Sequence, residues 1–252
     1  ADSPYVAQMK GAILSIAPNV NVVDVTHSIG AQDVLHGAFV LADSAFHFPP
    51  GSIHVAVVDP GVGTQRAIVA ALIDGHWFVA PDNGLLTGVA QGREVAEFRR
   101  VENREFWRKS VSNTFHGRDI MCPVAAHLSL GIDPAEIGPS HSQLMQLPWP
   151  TSQRRGHIIT GEVVLVDSFG NLITNILRSD LDPDWNVVDC HVDCGDITVQ
   201  SICETYGRRA AGETVALFGS SDRLEIAAVS GNAAASLGIE RGAEVVVRPH
   251  GG

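Results

Sequence analysis

Apolar residues recur along this chain in two rhythms, and the change from one to the other divides it. Residues 5 to 17 repeat at helical spacing and stop at Pro18. Val20 to Thr26 reads as a strand. Gln32 to Phe46 reads as a helix with Val34, Ala38, Leu41, Ala42 and Ala45 on one face, ended by Pro49-Pro50. Ile53–Val58, Ala67–Ile73 and His76–Ala80 are short apolar runs that predict buried strands. Asp74-Gly75 between the last two is a tight-hairpin signal, and Pro81-Asp82-Asn83-Gly84 is a turn by composition. Leu85 to Ala90 predicts a short helix, and Asp119 to Leu130 a longer one that closes near Gly131. Strands alternating with helices predict an α/β domain, with a central, mostly parallel sheet flanked by helices.

After about Pro139 the texture changes. Leu147-Pro148-Trp149-Pro150 and Ser152-Gln153-Arg154-Arg155-Gly156 form a polar, proline-bearing connection without periodicity. Beyond it lie short strand-like runs: 157–166, 172–176, 187–192, 197–199, 214–218, 224–229 and 244–247. No long helical pattern intervenes, so a smaller antiparallel β domain, barrel or sandwich, is expected. The predicted organisation is therefore an α/β catalytic domain over 1–147, a linker over 148–156 and a β-rich domain over 157–252. There is no internal repeat.

Composition narrows the function classes. With 252 residues, 45% hydrophobic and 18% charged, the chain suits a folded protein with a sizeable core. A formal charge of -11 argues against nucleic-acid or anionic-membrane partners, which call for a basic face. No apolar stretch approaches the ~18 residues of a membrane helix, and a cytoplasmic location is expected. The chain begins at Ala1 and runs directly into helix, so an upstream strand is expected to precede it. Its four cysteines are too few for a disulfide scaffold. Cys190-x3-Cys194 superficially suggests metal. The surrounding alternation instead reads as a strand whose cysteines fill space, and no metal site is expected.

Two segments carry candidate chemistry. Asp59-Pro60-Gly61-Val62-Gly63-Thr64-Gln65-Arg66 follows the apolar run Ile53–Val58, which sets a carboxylate just past a strand's C-terminal edge, where open α/β sheets bind ligands. Asn113-Thr114-Phe115-His116-Gly117-Arg118-Asp119 sets a histidine just before a helix. Carboxylate, guanidinium and imidazole together can orient and deprotonate a water molecule.

Seven blocks occur in order: residues 2–11, 23–29, 56–64, 79–87, 113–119, 167–176 (Asp-Ser-Phe-Gly-Asn-Leu-Ile-Thr-Asn-Ile) and 230–234. Together they closely resemble the S-adenosyl-L-methionine hydroxide adenosyltransferases, relatives of the fluorinating and chlorinating enzymes that attack the same substrate. The resemblance covers essentially the whole chain. It implies hydrolysis of S-adenosyl-L-methionine to adenosine and L-methionine, with water delivered to the ribose C5′ and no further cofactor. It also implies a homotrimer, with each active site lying between one subunit's N-terminal domain and a neighbour's C-terminal domain. By the same resemblance Asp59, Arg66 and His116 form the hydrolytic trio, with either His116 or Asp59 as proton acceptor and Arg66 steadying anionic oxygen. Asn171 matches a residue that hydrogen-bonds the adenine edge, Phe169 and Tyr206 its aromatic neighbours, and Ala233 a backbone contact to the base. Asp167 matches the carboxylate for the methionine ammonium, and Ser221 a hydroxyl near the methionine carboxylate. Tyr5 and Thr114 fall in substrate-binding blocks, as does an acidic position that either Asp2 or Ser3 fills. Relatives usually open with a strand ending in Thr-Asp-Phe-Gly, whose aspartate binds the ribose hydroxyls; this chain starts after that point.

The halogen-using relatives lack a carboxylate at the position of Asp59 and a basic ring at that of His116. A fixed carboxylate beside the nucleophile repels halide by roughly 4 kcal/mol at close contact and surface-like dielectric. The residues therefore favour water over chloride or fluoride. A halide-dependent nucleoside synthase and a non-catalytic module binding S-adenosyl-L-methionine or adenosine are the alternatives.

Overall fold

The computed structural model describes residues 3–249, and the chain divides into two compact units, Ala1–Trp149 and Pro150–Gly252. The first carries helices α1 (Tyr5–Leu14), α2 (Val34–Ser44), α3 (Thr87–Ala90), α4 (Cys122–Ser129) and α5 (Pro134–Ile137). Its strands are β1 (Ile53–Val55), β2 (Ile68–Ile73), β3 (His76–Pro81) and β4 (Val95–Arg100), in the sheet order β1-β3-β2-β4.

That sheet is mixed, which corrects the expectation of a mostly parallel one. Only β1 and β3 run parallel; β2 pairs antiparallel with both β3 and β4. The reason is connection length. Asp74 and Gly75 take positive φ values of 47° and 77°, the backbone of a two-residue hairpin turn, and so short a link leaves no room for a crossover helix. β4 is a strand that the hydrophobic pattern did not reveal: its burial is only partial, and it sits at the sheet edge. The predicted strand Val20–Thr26 is not one either. Among the described residues it joins no ladder, and Val22, Val23 and Val25 stay 36%, 65% and 45% exposed. Valine-rich sequence favours extended backbone, but a strand exists only where a partner accepts its hydrogen bonds.

Alternation along β2 builds two cores. Val69, Ala71 and Ile73 pack on one face with Ala38 and Leu41 of α2 and with Phe78, Leu85 and Leu86. Ile68 and Ala70 pack on the other with Val79 and with Met121, Val124 and Leu128 around α4. Both faces are covered, which is why β2 reads as a continuous apolar run rather than an alternating one.

The second unit contains β5 (Gln153–Arg155), β6 (Ile158–Val166), β7 (Leu172–Leu177), β8 (Cys190–Cys194), β9 (Ile197–Val199), β10 (Ile202–Cys203), β11 (Thr214–Phe218), β12 (Arg223–Ala228), helix α6 (Ala233–Leu237) and β13 (Glu244–Pro249). The strands follow the order β10-β11-β12-β7-β6-β13-β8-β9, with β5 added alongside β6. The sheet is antiparallel except for β10–β11, and its ends curl together so that β10 nears β8, giving a nearly closed barrel. Cys190 and Cys194 are buried in this barrel's core with Ile159, Val192 and Val245, as expected of space-filling thiols. Burial pushes the Cys194 thiol up to about 11.

Candidate active site

In the first unit the site begins where β1 runs out. Asn83, from the turn after β3, donates its Nδ2 to the Val58 carbonyl at 2.8 Å and so pins the backbone just before Asp59. The segment then folds back on itself. Val62 N donates to the Asp59 carbonyl at 3.3 Å, the Thr64 hydroxyl to the Gly61 carbonyl at 2.7 Å, and Arg66 N to the Thr64 hydroxyl at 3.3 Å. This loop brings side chains seven residues apart together: Arg66 Nε donates to Asp59 Oδ1 at 2.6 Å and Arg66 Nη2 to Asp59 Oδ2. The pair is bidentate, and the side chains are only 9% and 5% exposed.

His116 reaches the same arginine from the second segment, its Nδ1 lying 3.1 Å from Arg66 Nη2. An arginine nitrogen can only donate, so Nδ1 is the acceptor and the neutral ring carries its proton on Nε2. Burial, and then the Arg66 charge, hold the His116 imidazolium below the ordinary histidine range; Asp59 and Asp119 pull the other way. Asp59, Arg66 and His116 thus form one contiguous group.

Two devices hold the loops against each other. Gly63, at φ 79°, backs directly onto the Asn113 carbonyl: a Cβ there would lie 2.5 Å from that oxygen. Asp119, fully buried, accepts from Ser112 N at 2.9 Å and from Arg118 Nε and Nη2 at 2.7 and 2.8 Å, while its own carbonyl accepts from Arg108 N at 2.9 Å. It ties together both ends of the loop that carries His116. The chain then enters α4 through a π-helical turn, Gly117–Met121, a wide turn often found at functional sites. Neither Gly63 nor Asp119 received a role from the sequence, although both lie within the motifs.

Asp59 opens onto a cavity of about 1560 Å³ that Ser3, Tyr5, Thr114 and Phe115 also line. Tyr5 meets Phe115 edge-on, with ring centroids 5.1 Å apart. The Ser3 hydroxyl accepts from Tyr5 N at 3.3 Å, and the Thr114 hydroxyl lies 3.2 Å from that of Ser112. Asp2 lies outside the described residues. Among the described residues, no group of three or more His, Cys, Asp or Glu is placed to hold a metal ion.

The remaining predicted residues lie in the second unit. Asp167 shapes the turn between β6 and β7, accepting from Phe169 N and Asn171 N at 2.8 and 2.9 Å and from Asn171 Nδ2 at 2.9 Å. Phe169 stands 75% exposed at the tip. Ala234 N donates to the Gly170 carbonyl at 2.9 Å, which joins this turn to the start of α6, where Ala233 is fully buried. Tyr206 donates its hydroxyl to Glu225 Oε2 at 3.1 Å, and burial with the Glu225 and Asp167 charges pushes its phenol up to about 12. Ser221 lies at the opposite end of β12 from Ala233, in the turn before Arg223. Glu225 escaped sequence reasoning because one carboxylate in an apolar strand carries no motif.

Comparison with known proteins places the chain in a family. The model of the SAM hydroxide adenosyltransferase N-terminal domain matches residues 1–138, and that of the C-terminal domain matches residues 161–246. A relative from Thermus thermophilus, named (R)-S-adenosyl-L-methionine hydrolase, is 37% identical over 97% of this chain and 94% of its own length. A fluorinase from an Actinoplanes species is 33% identical over 70% of this chain and 68% of its own. A crystal structure of a conserved protein from Thermotoga maritima superposes with a TM-score of 0.92 at 36% identity, covering 98% of this chain and 96% of that one. The chain belongs to the SAM hydroxide adenosyltransferase family.

Proposed function

We propose that this protein hydrolyses S-adenosyl-L-methionine to adenosine and L-methionine. The observation that carries the reading is the contiguous Asp59–Arg66–His116 group, with its carboxylate at the wall of a cavity with ample room for the substrate. The leaving group is a sulfonium, so attack by a hydroxide-like oxygen cancels charge, and a water-poor site favours that step. Holding water in line with the C5′–S bond at roughly 3–3.5 Å removes an entropic part of the barrier.

His116 Nδ1 is already engaged by Arg66, and Nε2 of the neutral ring bears a proton. Asp59, whose oxygens keep lone pairs beyond those given to Arg66, is therefore the proton acceptor in this reading. His116 donates from Nε2 to orient the oxygen, and the Arg66 charge steadies it as it becomes anionic. Ser3, Tyr5 and Thr114 bind substrate in the larger cavity. The second-unit residues Asp167, Phe169, Asn171, Tyr206, Ser221 and Ala233 bind adenine and the methionine moiety. The enzyme works as a cytoplasmic homotrimer whose active sites form between subunits; the exposed Phe169 and Tyr206 rings support a surface meant to be covered.

The test is incubation of purified protein with S-adenosyl-L-methionine, following adenosine and methionine by chromatography, with and without chloride. Chloride-independent release of both is expected. Absence of adenosine, or a strict need for halide, overturns the reading.

A further inference from the structure

The trio is shared between two cavities. Asp59 lines the larger one; Arg66 and His116 line a second, of about 590 Å³, on residues 64–120. This second cavity is cationic in a chain whose net charge is -11. Arg66, Arg100, Arg104, Arg108 and Lys109 line it, against Glu102 as the one carboxylate in the lining among the described residues. Some of that charge is met locally. Arg66 pairs with Asp59, Arg100 with Glu102 at 3.2 Å, and Arg108 lies 3.9 Å from Asp119. Arg104 stacks over the Trp107 ring at 5.5 Å, and a ring is no counter-ion. The surplus is thus about two positive charges at Arg104 and Lys109.

Two of its lining residues also carry a side-chain donor that is closed off from water and has no hydrogen-bond partner among the described residues, Arg66 Nη1 and Trp107 Nε1. Buried N–H groups are seldom left unpaired. Here the deficit is of acceptors alone, and the surrounding charge is positive. Lying just behind the wall, these N–H groups add to its positive potential, and that potential favours a small oxyanion over neutral water in the cavity.

We propose that this second cavity binds a small oxyanion, of phosphate or carboxylate type, behind the catalytic trio. The sulfonium substrate, being a cation, is disfavoured there, so the two cavities take ligands of opposite charge. Occupancy also has a consequence for the trio. The Arg66 charge depresses the His116 imidazolium, and an anion beside Arg66 offsets it. His116 then protonates at higher pH and, once cationic, can no longer accept from Arg66. The bound anion inhibits at mildly acidic pH and leaves the alkaline side untouched. This consequence rests on the proposed hydrolysis; the binding itself does not.

The experiment titrates the protein, without substrate, with inorganic phosphate, with acetate, and with chloride at matched ionic strength. Binding is read by calorimetry and by the indole N–H resonance of Trp107, assigned through Trp107→Phe. Saturable binding of phosphate or acetate that shifts this resonance, at least about threefold tighter than any chloride effect, is expected. The double variant Arg104→Gln/Lys109→Gln removes two exposed cations and should weaken binding about tenfold with an unchanged circular dichroism spectrum. If neither oxyanion shifts the resonance, if chloride reproduces the effect, or if the double variant binds like the parent, the proposal is overturned. Because no turnover is measured, that failure is separate from any failure of the hydrolase reading.

Discussion

Replacing Gly63 by alanine tests whether the two segments of the proposed active site must be docked to within a fraction of an ångström. The added Cβ would sit 2.5 Å from the Asn113 carbonyl oxygen, whereas ordinary contact begins near 3.4 Å, so the two backbones must separate by about 0.9 Å. Neither atom belongs to a side chain that can swing away. The glycine φ of 79° adds a left-handed penalty of about 1–2 kcal/mol for any L-residue. With overpacking of about 1–3 kcal/mol, the total destabilisation is about 2–5 kcal/mol. The catalytic effect is larger than the stability loss suggests. Asn113 lies three residues before His116, and the 3.1 Å contact between His116 Nδ1 and Arg66 Nη2 spans the two segments. A misplacement near 1 Å costs on the order of 10²-fold in turnover. Gly61→Ala is the matched control, since its Cβ would meet only the Arg66 and Thr64 side chains, at 3.4 Å or more, without a positive φ. The assay is single-turnover adenosine release at a temperature where circular dichroism shows both variants folded. A Gly63→Ala enzyme that folds and turns over within threefold of the parent refutes the docking argument.

The other predictions act on charge. Asp59→Asn should lower turnover by about 10²–10⁴-fold while substrate binding, measured by calorimetry, stays nearly unchanged. Asp119→Asn keeps the shape but removes a charge that raises the His116 value, so the acid limb of the pH–rate profile should move to lower pH; a limb that stays put or rises refutes its electrostatic role. His54 is buried against His76, with Nε2 to Nδ1 at 3.3 Å, and burial followed by the His76 charge lowers it to about 4. The unfolded chain then takes up a proton near pH 6.5 and the folded one only near 4. Stability should therefore be full above about 6.5 and fall by about 3 kcal/mol as the pH drops to about 4. Urea unfolding at pH 7 and pH 4 measures the drop, which His54→Phe should largely abolish. Asp167→Ala removes the acceptor of three turn hydrogen bonds and should cost about 1–3 kcal/mol, with a raised KM.

What was legible in the sequence follows from what is local. The Asp74-Gly75 hairpin is set by residues adjacent in the chain, so composition alone announced it, and the strand before Asp59 announced where that carboxylate sits. The buried face of α2 repeats at helical spacing and β2 is a continuous apolar run, and both elements formed where the pattern put them. The failures are all matters of partnership. Val20–Thr26 has strand composition and no ladder among the described residues; β4 and Gln153–Arg155 have poor strand composition and form one, because a neighbouring strand offers its edge. Parallel or antiparallel order likewise depends on which edge accepts the next strand, and no single segment encodes that. The residue types of the candidate trio were legible in the two segments, but that they form one group was legible only through resemblance, since nothing in the spacing of Arg66 and His116 says that they meet. Glu225 and Asp119 show the remaining blind spot: a carboxylate that acts through burial looks, in sequence, like any other acid.

The arrangement also explains why an arginine, rather than a lysine, stands at the centre of the trio. Three nitrogens in a fixed plane let one side chain grip both Asp59 oxygens, engage His116 and leave Nη1 over. A lysine ammonium has three donors but no planar fork, so it cannot hold the carboxylate and the imidazole in one orientation. Arg66→Lys should therefore keep the charge yet lose the geometry. The His116 ring, no longer fixed at Nδ1, becomes free to carry its proton on either nitrogen, and oxygen orientation is lost with the tautomer. In the proposed mechanism, charge near the nucleophile is thus insufficient; the planar fork that fixes where each proton resides is what Arg66 adds.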